Sequence, residues 1–149
     1  YELHPSKLDY FGLSSALGSL CREMSKSHGL AINFRDEGPQ RELSNEVSLC
    51  LFRVAQEAIG NAVRHSGTSS VDVALKRSAK AVRLTVCDSG RGLDAGVDVT
   101  DRGLGIISMK ERLRLLDGEL KIASRRSHGT RIEATIPAQH GIHRGNMVR

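Results

Sequence analysis

Apolar residues recur along the chain in two rhythms, and each change of rhythm marks a new element. Leu13, Leu17, Leu20 with Cys21, and Met24 fall at three- and four-residue steps, which predicts an amphipathic helix from Ser6 to about His28, stopped by Gly29. Leu30–Phe34 alternates loosely and predicts a short strand; the charged run Arg35–Leu43, with Gly38-Pro39 inside it, predicts a loop. The clearest helix follows. Ser44 stands as its N-cap, Glu46 lies in its first turn, and Val47, Leu51, Val54, Ala58 and Ala62 make one stripe that ends near Ser66-Gly67. Val71, Val73 and Leu75, then Val82, Leu84 and Val86, alternate with polar residues on either side of Ser78-Ala79-Lys80, the pattern of a hairpin of half-buried strands. A Gly-rich stretch leads into a third helix from Leu104 to Asp117, with Ile106, Met109, Leu113 and Leu116 inward and Gly118 at its end. Two last alternating strands, Glu119–Ser124 and Thr130–Ile136, flank the turn Arg125–Gly129, and Pro137 closes the second.

Three helices are too few to alternate with every strand. The expected architecture is therefore an α+β two-layer sandwich: a mixed sheet of about five strands with three helices on one face. A length of 149 residues suits one core, and with aromatics at 3% and no Trp that core must be aliphatic. Few aromatics also argue against a stacking platform for single-stranded nucleic acid. No apolar run is long enough for a membrane span, and no signal peptide opens the chain. The first residue is Tyr, so the chain is expected to be a piece of a longer protein. Three scattered cysteines, Cys21, Cys50 and Cys87, fit buried thiols in a reducing cytosol rather than a disulfide framework or a zinc site. The formal net charge of +5 allows an anionic partner, and a nucleotide satisfies it as well as DNA does.

Four stretches carry candidate chemistry. On the middle helix, Arg53, Glu57, Asn61 and Arg64 share one face roughly opposite the apolar stripe. A carboxylate and a carboxamide one turn apart can present oxygens to a hard cation, with Arg64 and His65 near for phosphate; taken alone, the same pattern describes a solvated face. Asp88-Ser89-Gly90-Arg91-Gly92 follows a strand directly, so the sheet positions Asp88 to accept a hydrogen bond while Gly90 and Gly92 let backbone approach a flat ring; taken alone, it is a tight turn. Arg102-Gly103-Leu104-Gly105 opens a helix whose free amides can cradle phosphates. It lacks the preceding strand and third glycine of a dinucleotide fingerprint, and no Walker-type loop occurs. Gly129-Thr130, before the last strand, is by itself only a turn.

The order and spacing of the four together resemble the ATP-binding domain of sensor histidine kinases, within the GHKL (Bergerat-fold) ATPase superfamily. Gln56–Ser66 looks like the N box, Asp88–Gly92 the G1 box, Gly103–Gly105 the G2 box, and Gly129-Thr130 the Gly-Thr before the final strand, over roughly Leu43 to Pro137. The segments Leu3–Leu13, Gln56-Glu57-Ala58 and Met109–Leu113 further resemble the kinases that partner NarL/LuxR-type response regulators. The stretch Leu93–Arg102 is short for an ATP lid and carries no Phe-containing box, which suits that branch. The resemblance implies Mg²⁺ and ATP as cofactors. It makes Asn61 the Mg²⁺ ligand and Glu57 the catalytic residue, the acidic N-box side chain that orients or deprotonates the attacking group. Arg64 and His65 become the basic pair near the phosphates or the ring. It places Asp88 on the adenine amino group, Gly90 and Gly92 beneath the base with Thr130 close by, and Gly103 and Gly105 at the hinge of the lid; Arg102 and Lys110 are weaker phosphate contacts.

The same resemblance implies a division into residues 1–28, the end of a dimerisation and phosphoacceptor region or a leading helix; 29–137, the ATP-binding kinase domain; and 138–149, a tail. His4 is a poor acceptor, because Pro5 beside it disfavours an acceptor helix, so the acceptor histidine is expected upstream of Tyr1. The expected partners are ATP, the protein's own dimerisation domain and a NarL/LuxR-type response regulator, with no direct nucleic-acid contact. The full-length protein is expected to be a homodimer, the isolated piece a monomer, and the domain cytoplasmic even where the parent is membrane-anchored. His140 and His143 read as part of a basic tail rather than a metal site. Two alternatives stay open: another GHKL ATPase or an anti-sigma-factor-type serine kinase, and a non-enzymatic basic module that binds nucleic acid.

Overall fold

The computed structural model describes residues 5–39, 41–65, 67–92 and 104–138. Its elements are α1 (Pro5–His28), β1 (Ala31–Glu37), α2 (Asn45–His65), β2 (Ser70–Arg77), β3 (Ala81–Asp88), α3 (Leu104–Arg114), β4 (Glu119–Arg125) and β5 (Gly129–Pro137). The five strands form one sheet in the order β1-β2-β3-β5-β4. β1 runs parallel to β2, with α2 as the crossover between them, and every other pairing is antiparallel. The sheet is therefore mixed, as the sequence pattern implies.

Alternation decides which face is covered. Val71, Val73 and Leu75 of β2, Val82, Leu84 and Val86 of β3, and Ile132, Ala134 and Ile136 of β5 are all buried and share the face under the helices. The opposite face carries Asp72, Arg83, Arg131, Glu133 and Lys121 and is laced with ion pairs such as Arg83–Glu133 at 3.3 Å. Such exposed pairs add little stability and keep that face wet.

α2 is the centre of the helical layer. Besides the expected stripe, Cys50, Phe52, Ala55 and Ile59 are buried, because α1 and α3 flank α2 while the sheet lies beneath it. Each fully buried side chain of the size of Leu51 or Ile59 contributes about 1.5–3 kcal/mol relative to exposure. The backbone amide of Val47 donates to Ser44 Oγ at 3.2 Å, so Ser44 caps the helix as its position suggests.

Three boundaries differ from the sequence expectation, each for a local reason. α1 is interrupted at Gly12, whose φ of 77° and ψ of 174° are non-helical. The segment Arg35–Glu37 is strand rather than loop, since β1 pairs with β2 from Ala31↔Ser70 to Glu37↔Lys76. Asp36 obscured the signal by occupying an inward position; it lies partly buried against Arg77, with Nη2 to Oδ2 at 3.3 Å, and Arg77 Nη1 also donates to the Arg41 carbonyl at 2.6 Å. α3 ends at Arg114, and the left-handed residue after it is Asp117 (φ 54°), not Gly118. Gly118 is required for another reason: a Cβ there would lie 2.9 Å from the Thr135 carbonyl oxygen of β5.

Candidate functional site

Glu57, Asn61 and Arg64 fall at steps of four and three residues along α2, so they do share a face. Arg64 Nη2 donates to Asn61 Oδ1 at 2.9 Å and lies 3.6 Å from Glu57 Oε1. These side chains are half-exposed or exposed, so the pairing stabilises the fold little. Its meaning is positional: one cation sits between an amide oxygen and a carboxylate oxygen. Arg53, expected on this face too, donates from Nη1 to Gln56 Oε1 at 2.9 Å. His65 closes α2, and its side chain lies outside the described residues.

The second residue of α3, Gly105, packs against Glu57 so closely that a Cβ would stand 1.9 Å from Oε1 and 2.6 Å from Cδ. Any side chain at 105 would push that carboxylate out of its place. Glu57 thereby presents its charge to the N-terminal end of α3, where unpaired amides and the helix dipole favour an anion. Gly103, the other glycine of this motif, lies outside the described residues, as does the whole stretch 93–103.

A second group gathers at one end of the sheet. The inward row of apolar pairs Val73–Val86–Ile132–Ile122 is followed by a polar one: Asp88 of β3 faces Thr130 of β5, which faces Ser124 of β4. Asp88 Oδ1 accepts from the Gly90 amide at 2.9 Å, so Gly90 closes an Asx-type turn that orients the carboxylate. Ser124 Oγ and Thr130 Oγ1 are 2.9 Å apart, and Ser124 Oγ lies 3.3 Å from the Gly129 carbonyl oxygen. Gly129 has φ 81°, and a Cβ on it would meet the Asp88 carbonyl oxygen at 1.9 Å. Gly92 has φ 66° and a similar constraint from the Arg125 carbonyl oxygen, also at 1.9 Å. Both glycines therefore let the Asp88–Gly92 segment press onto the β4–β5 turn, a contact completed by the Ser127 amide donating to the Arg91 carbonyl at 2.7 Å. A cavity of about 400 Å³ opens beside Asp88, Ser124 and Thr130.

The two groups are joined by the exit from α2. Thr68 Oγ1 accepts from the Ser89 amide at 3.3 Å, and a Cβ on Gly67 would come within 3.1 Å of Arg91 Nε. All four sequence motifs are thus in contact in pairs: N box with G2 through Glu57 and Gly105, and G1 with Gly-Thr through Asp88 and Gly129. Sequence reasoning passed over Ser124 and Thr68, and named Ser89 only as part of the G1-like turn. For Ser124 a signal existed, because the two last strands and the turn between them already place it opposite Thr130.

Among the described residues, no cluster of three or more His, Cys, Asp and Glu side chains forms a metal cage, and His140 and His143 lie outside them. The oxygens of Asn61 and Glu57, already sharing the Arg64 cation, are of the hard type a magnesium ion takes when phosphates supply the rest of its shell. Burial keeps the cysteine thiols protonated near neutral pH. Burial pushes the Cys21 thiol up to about 12 and the Cys50 thiol up to about 11, and it raises Cys87 as well, with Arg131 opposing. No helix of the described residues is long and apolar enough to cross a membrane.

A family model described as histidine kinase-, DNA gyrase B-, and HSP90-like ATPase matches residues 46–140, which spans every site residue above. The oxygen sensor histidine kinase NreB of Staphylococcus carnosus is 32% identical over 136 residues, covering 91% of this chain and 39% of that protein. The chain thus spans about two-fifths of the length of that curated relative. Among solved structures, the histidine kinase domain of a blue-light activated histidine kinase from Erythrobacter litoralis superposes with a TM-score of 0.71 at 24% identity, covering 86% of this chain and 62% of that one. The Acinetobacter baumannii histidine kinase AdeS gives a TM-score of 0.67 at 13% identity, over 89% of this chain and 73% of its own. At these identities the two structures speak for the fold.

Proposed function

Because the chain belongs to the histidine kinase-, DNA gyrase B- and HSP90-like ATPase family, we propose that it is the nucleotide-binding catalytic domain of a two-component sensor histidine kinase. It binds ATP with Mg²⁺ and passes the γ-phosphoryl group to a histidine on a dimerisation domain outside this chain. The phosphoryl group then moves to an aspartate of a response regulator, of the NarL/LuxR type in view of the Gln56-Glu57-Ala58 and Met109–Leu113 segments. The full-length protein is read as a homodimer. The domain is placed in the cytoplasm, where ATP is available and where its three free cysteines stay reduced.

In this reading Asp88 accepts a hydrogen bond from the exocyclic amine of adenine. Asn61 Oδ1 would hold the magnesium ion, which supplies charge neutralisation along the triphosphate. Arg64, released from Asn61, turns to the phosphate oxygens. Glu57 orients the acceptor imidazole by accepting the N–H proton of one ring nitrogen while the other, unprotonated ring nitrogen forms its bond to the γ-phosphorus; the bond from phosphorus to the β,γ-bridging oxygen breaks and ADP leaves. Phosphoryl transfer asks mainly for such positioning and charge compensation.

The observation that carries this reading is the double close approach, Gly105 on Glu57 and Gly129 on Asp88, where a Cβ would displace the Glu57 carboxylate in the one case and run into the Asp88 backbone in the other. The test is transfer of label from γ-labelled Mg·ATP to a separately made helical domain bearing the acceptor histidine. Acid-labile, base-stable phosphoprotein is the expected product. Acid-stable phosphoserine, or phosphate release with no labelled protein, overturns the assignment.

A further inference from the structure

On the N-box face of α2 the chain supplies its own cation. A guanidinium has donors only, so the Asn61 atom that meets Arg64 Nη2 at 2.9 Å is the amide oxygen. The same Nη2 lies 3.6 Å from Glu57 Oε1. One positive group thus stands between two oxygens of the hard type a magnesium ion takes. Being a guanidinium, it keeps its charge across the physiological pH range.

Gly60 gives that cation its seat. It is buried inside α2, where a glycine weakens a helix relative to alanine. A Cβ there would lie 3.1 Å from Arg64 Nη1, tighter than ordinary contact, and 3.6 Å from Cζ. Without that atom the guanidinium can fold back over its own helix, onto the turns that carry Asn61 and Glu57. A cavity of about 330 Å³, lined by Leu20 and Met24 of α1 with Gly60 and Arg64 of α2, leaves the side chain room to move off again. Arg64 is more than half exposed, so the seat holds it only weakly.

We infer that Arg64 is a built-in competitor of the metal: it occupies the Asn61 and Glu57 oxygens until the phosphates of a nucleotide draw it off, so metal and nucleotide are taken up together rather than metal first. Two like charges share one pair of oxygens only against their repulsion. A triphosphate removes the conflict, because it offers the guanidinium charged acceptors and brings further oxygens for the ion. Arg64 is in this respect a positioning residue that sets the order of binding. The inference rests on the reading of Asn61 as a magnesium ligand and adds what governs access to it.

The experiment titrates Mn²⁺, a paramagnetic substitute for Mg²⁺, into the full 149-residue chain without nucleotide and reads the free ion by electron paramagnetic resonance. The proteins are wild type, Arg64→Gln, Arg64→Lys, Asn61→Ala, and Arg64→Gln combined with Asn61→Ala. Arg64→Gln removes the charge and should bind Mn²⁺ about threefold more tightly or better, the scale of one exposed charge at close range. Arg64→Lys keeps the charge and should stay near wild type. Adding Asn61→Ala to Arg64→Gln should abolish the gain, which assigns it to these oxygens. A merely structural role for Arg64 predicts no tightening, since a damaged fold does not improve a metal site. Equal Mn²⁺ affinity in wild type and Arg64→Gln, an equal gain in Arg64→Lys, or a gain that survives Asn61→Ala overturns the inference. The underlying reading is tested apart, by the Mg²⁺ dependence of ATP binding in Asn61→Ala. A wild-type dependence there removes Asn61 from the metal site and takes this inference with it. A lost dependence, with no Mn²⁺ gain in Arg64→Gln, keeps Asn61 in place and removes only the competition.

Discussion

Replacing Gly105 by Ala separates the catalytic arrangement from the stability of the fold. The new methyl group would stand 1.9 Å from Glu57 Oε1 and 2.6 Å from Cδ, so the carboxyl must retreat by more than an ångström to reach ordinary contact. What it meets is the far end of a flexible side chain, and Glu57 can swing away without moving the backbone of α2. The fold loses at most the exposed Glu57–Arg64 pairing, worth up to about 1 kcal/mol. It regains a similar amount, about 0.5–1 kcal/mol, because Ala is the better helix former at this position. Net stability should therefore stay within about 1 kcal/mol of wild type. Function should not. A reacting group displaced by about 1 Å costs on the order of a hundredfold in rate. Urea unfolding followed by circular dichroism, paired with single-turnover phosphoryl transfer to the histidine-bearing domain, reads both quantities on one preparation. Wild-type transfer in a normally folded Gly105→Ala protein would refute the placement of Glu57 at the reacting centre. A stability loss that accounts for the whole activity loss would refute the separation.

Gly129→Ala should behave in the opposite way. Its methyl group meets the Asp88 carbonyl oxygen at 1.9 Å, a backbone atom that cannot swing aside, and φ is 81°. A left-handed β-carbon alone costs roughly 1–2 kcal/mol, so the melting temperature should drop together with nucleotide affinity; an unchanged melting temperature would contradict the packing described. The thiols give a pH test. In the unfolded chain they ionise near 9.0, the ordinary thiol value, whereas in the fold Cys21 and Cys50 are held up to about 12 and about 11. The folded form thus keeps its protons longer, its advantage is complete below pH 9, and stability should decline as the pH rises from there towards 11–12. Replacing both by Ala or Ser should flatten that decline. Thiol alkylation at pH 8 should reach the half-buried Cys87 first and the other two only on unfolding.

Much of this was legible in the sequence because local rules and packing agree. The Leu13–Met24 stripe, the Ser44 cap and the alternation of Val71–Leu75 with Val82–Val86 each specify an element whose environment then matches. The misses have physical causes. Asp36 hides the end of β1, since a carboxylate at an inward position looks like loop until Arg77 is known to lie across from it. The break at Gly12 lies just before the stripe that begins at Leu13, so the periodicity carries no sign of it. At the site, residue types and spacing announced Glu57, Asn61 and Asp88. The reasons for Gly92, Gly105 and Gly129 are contacts with atoms far away in sequence, and no local pattern carries those. Ser124 was missed for a related reason: a serine before a turn is unremarked until register places it against Thr130.

The claim on which the rest depends is that Asp88 reads the base of a bound nucleotide. Isothermal titration of wild type and Asp88→Asn with Mg·ATP tests it most directly, with unfolding curves to show that both are folded. The account predicts saturable one-site binding by wild type and an affinity lower by about tenfold or more for Asp88→Asn, the scale of one hydrogen bond to a charged group. Equal affinities, or no saturable binding by wild type, would contradict it.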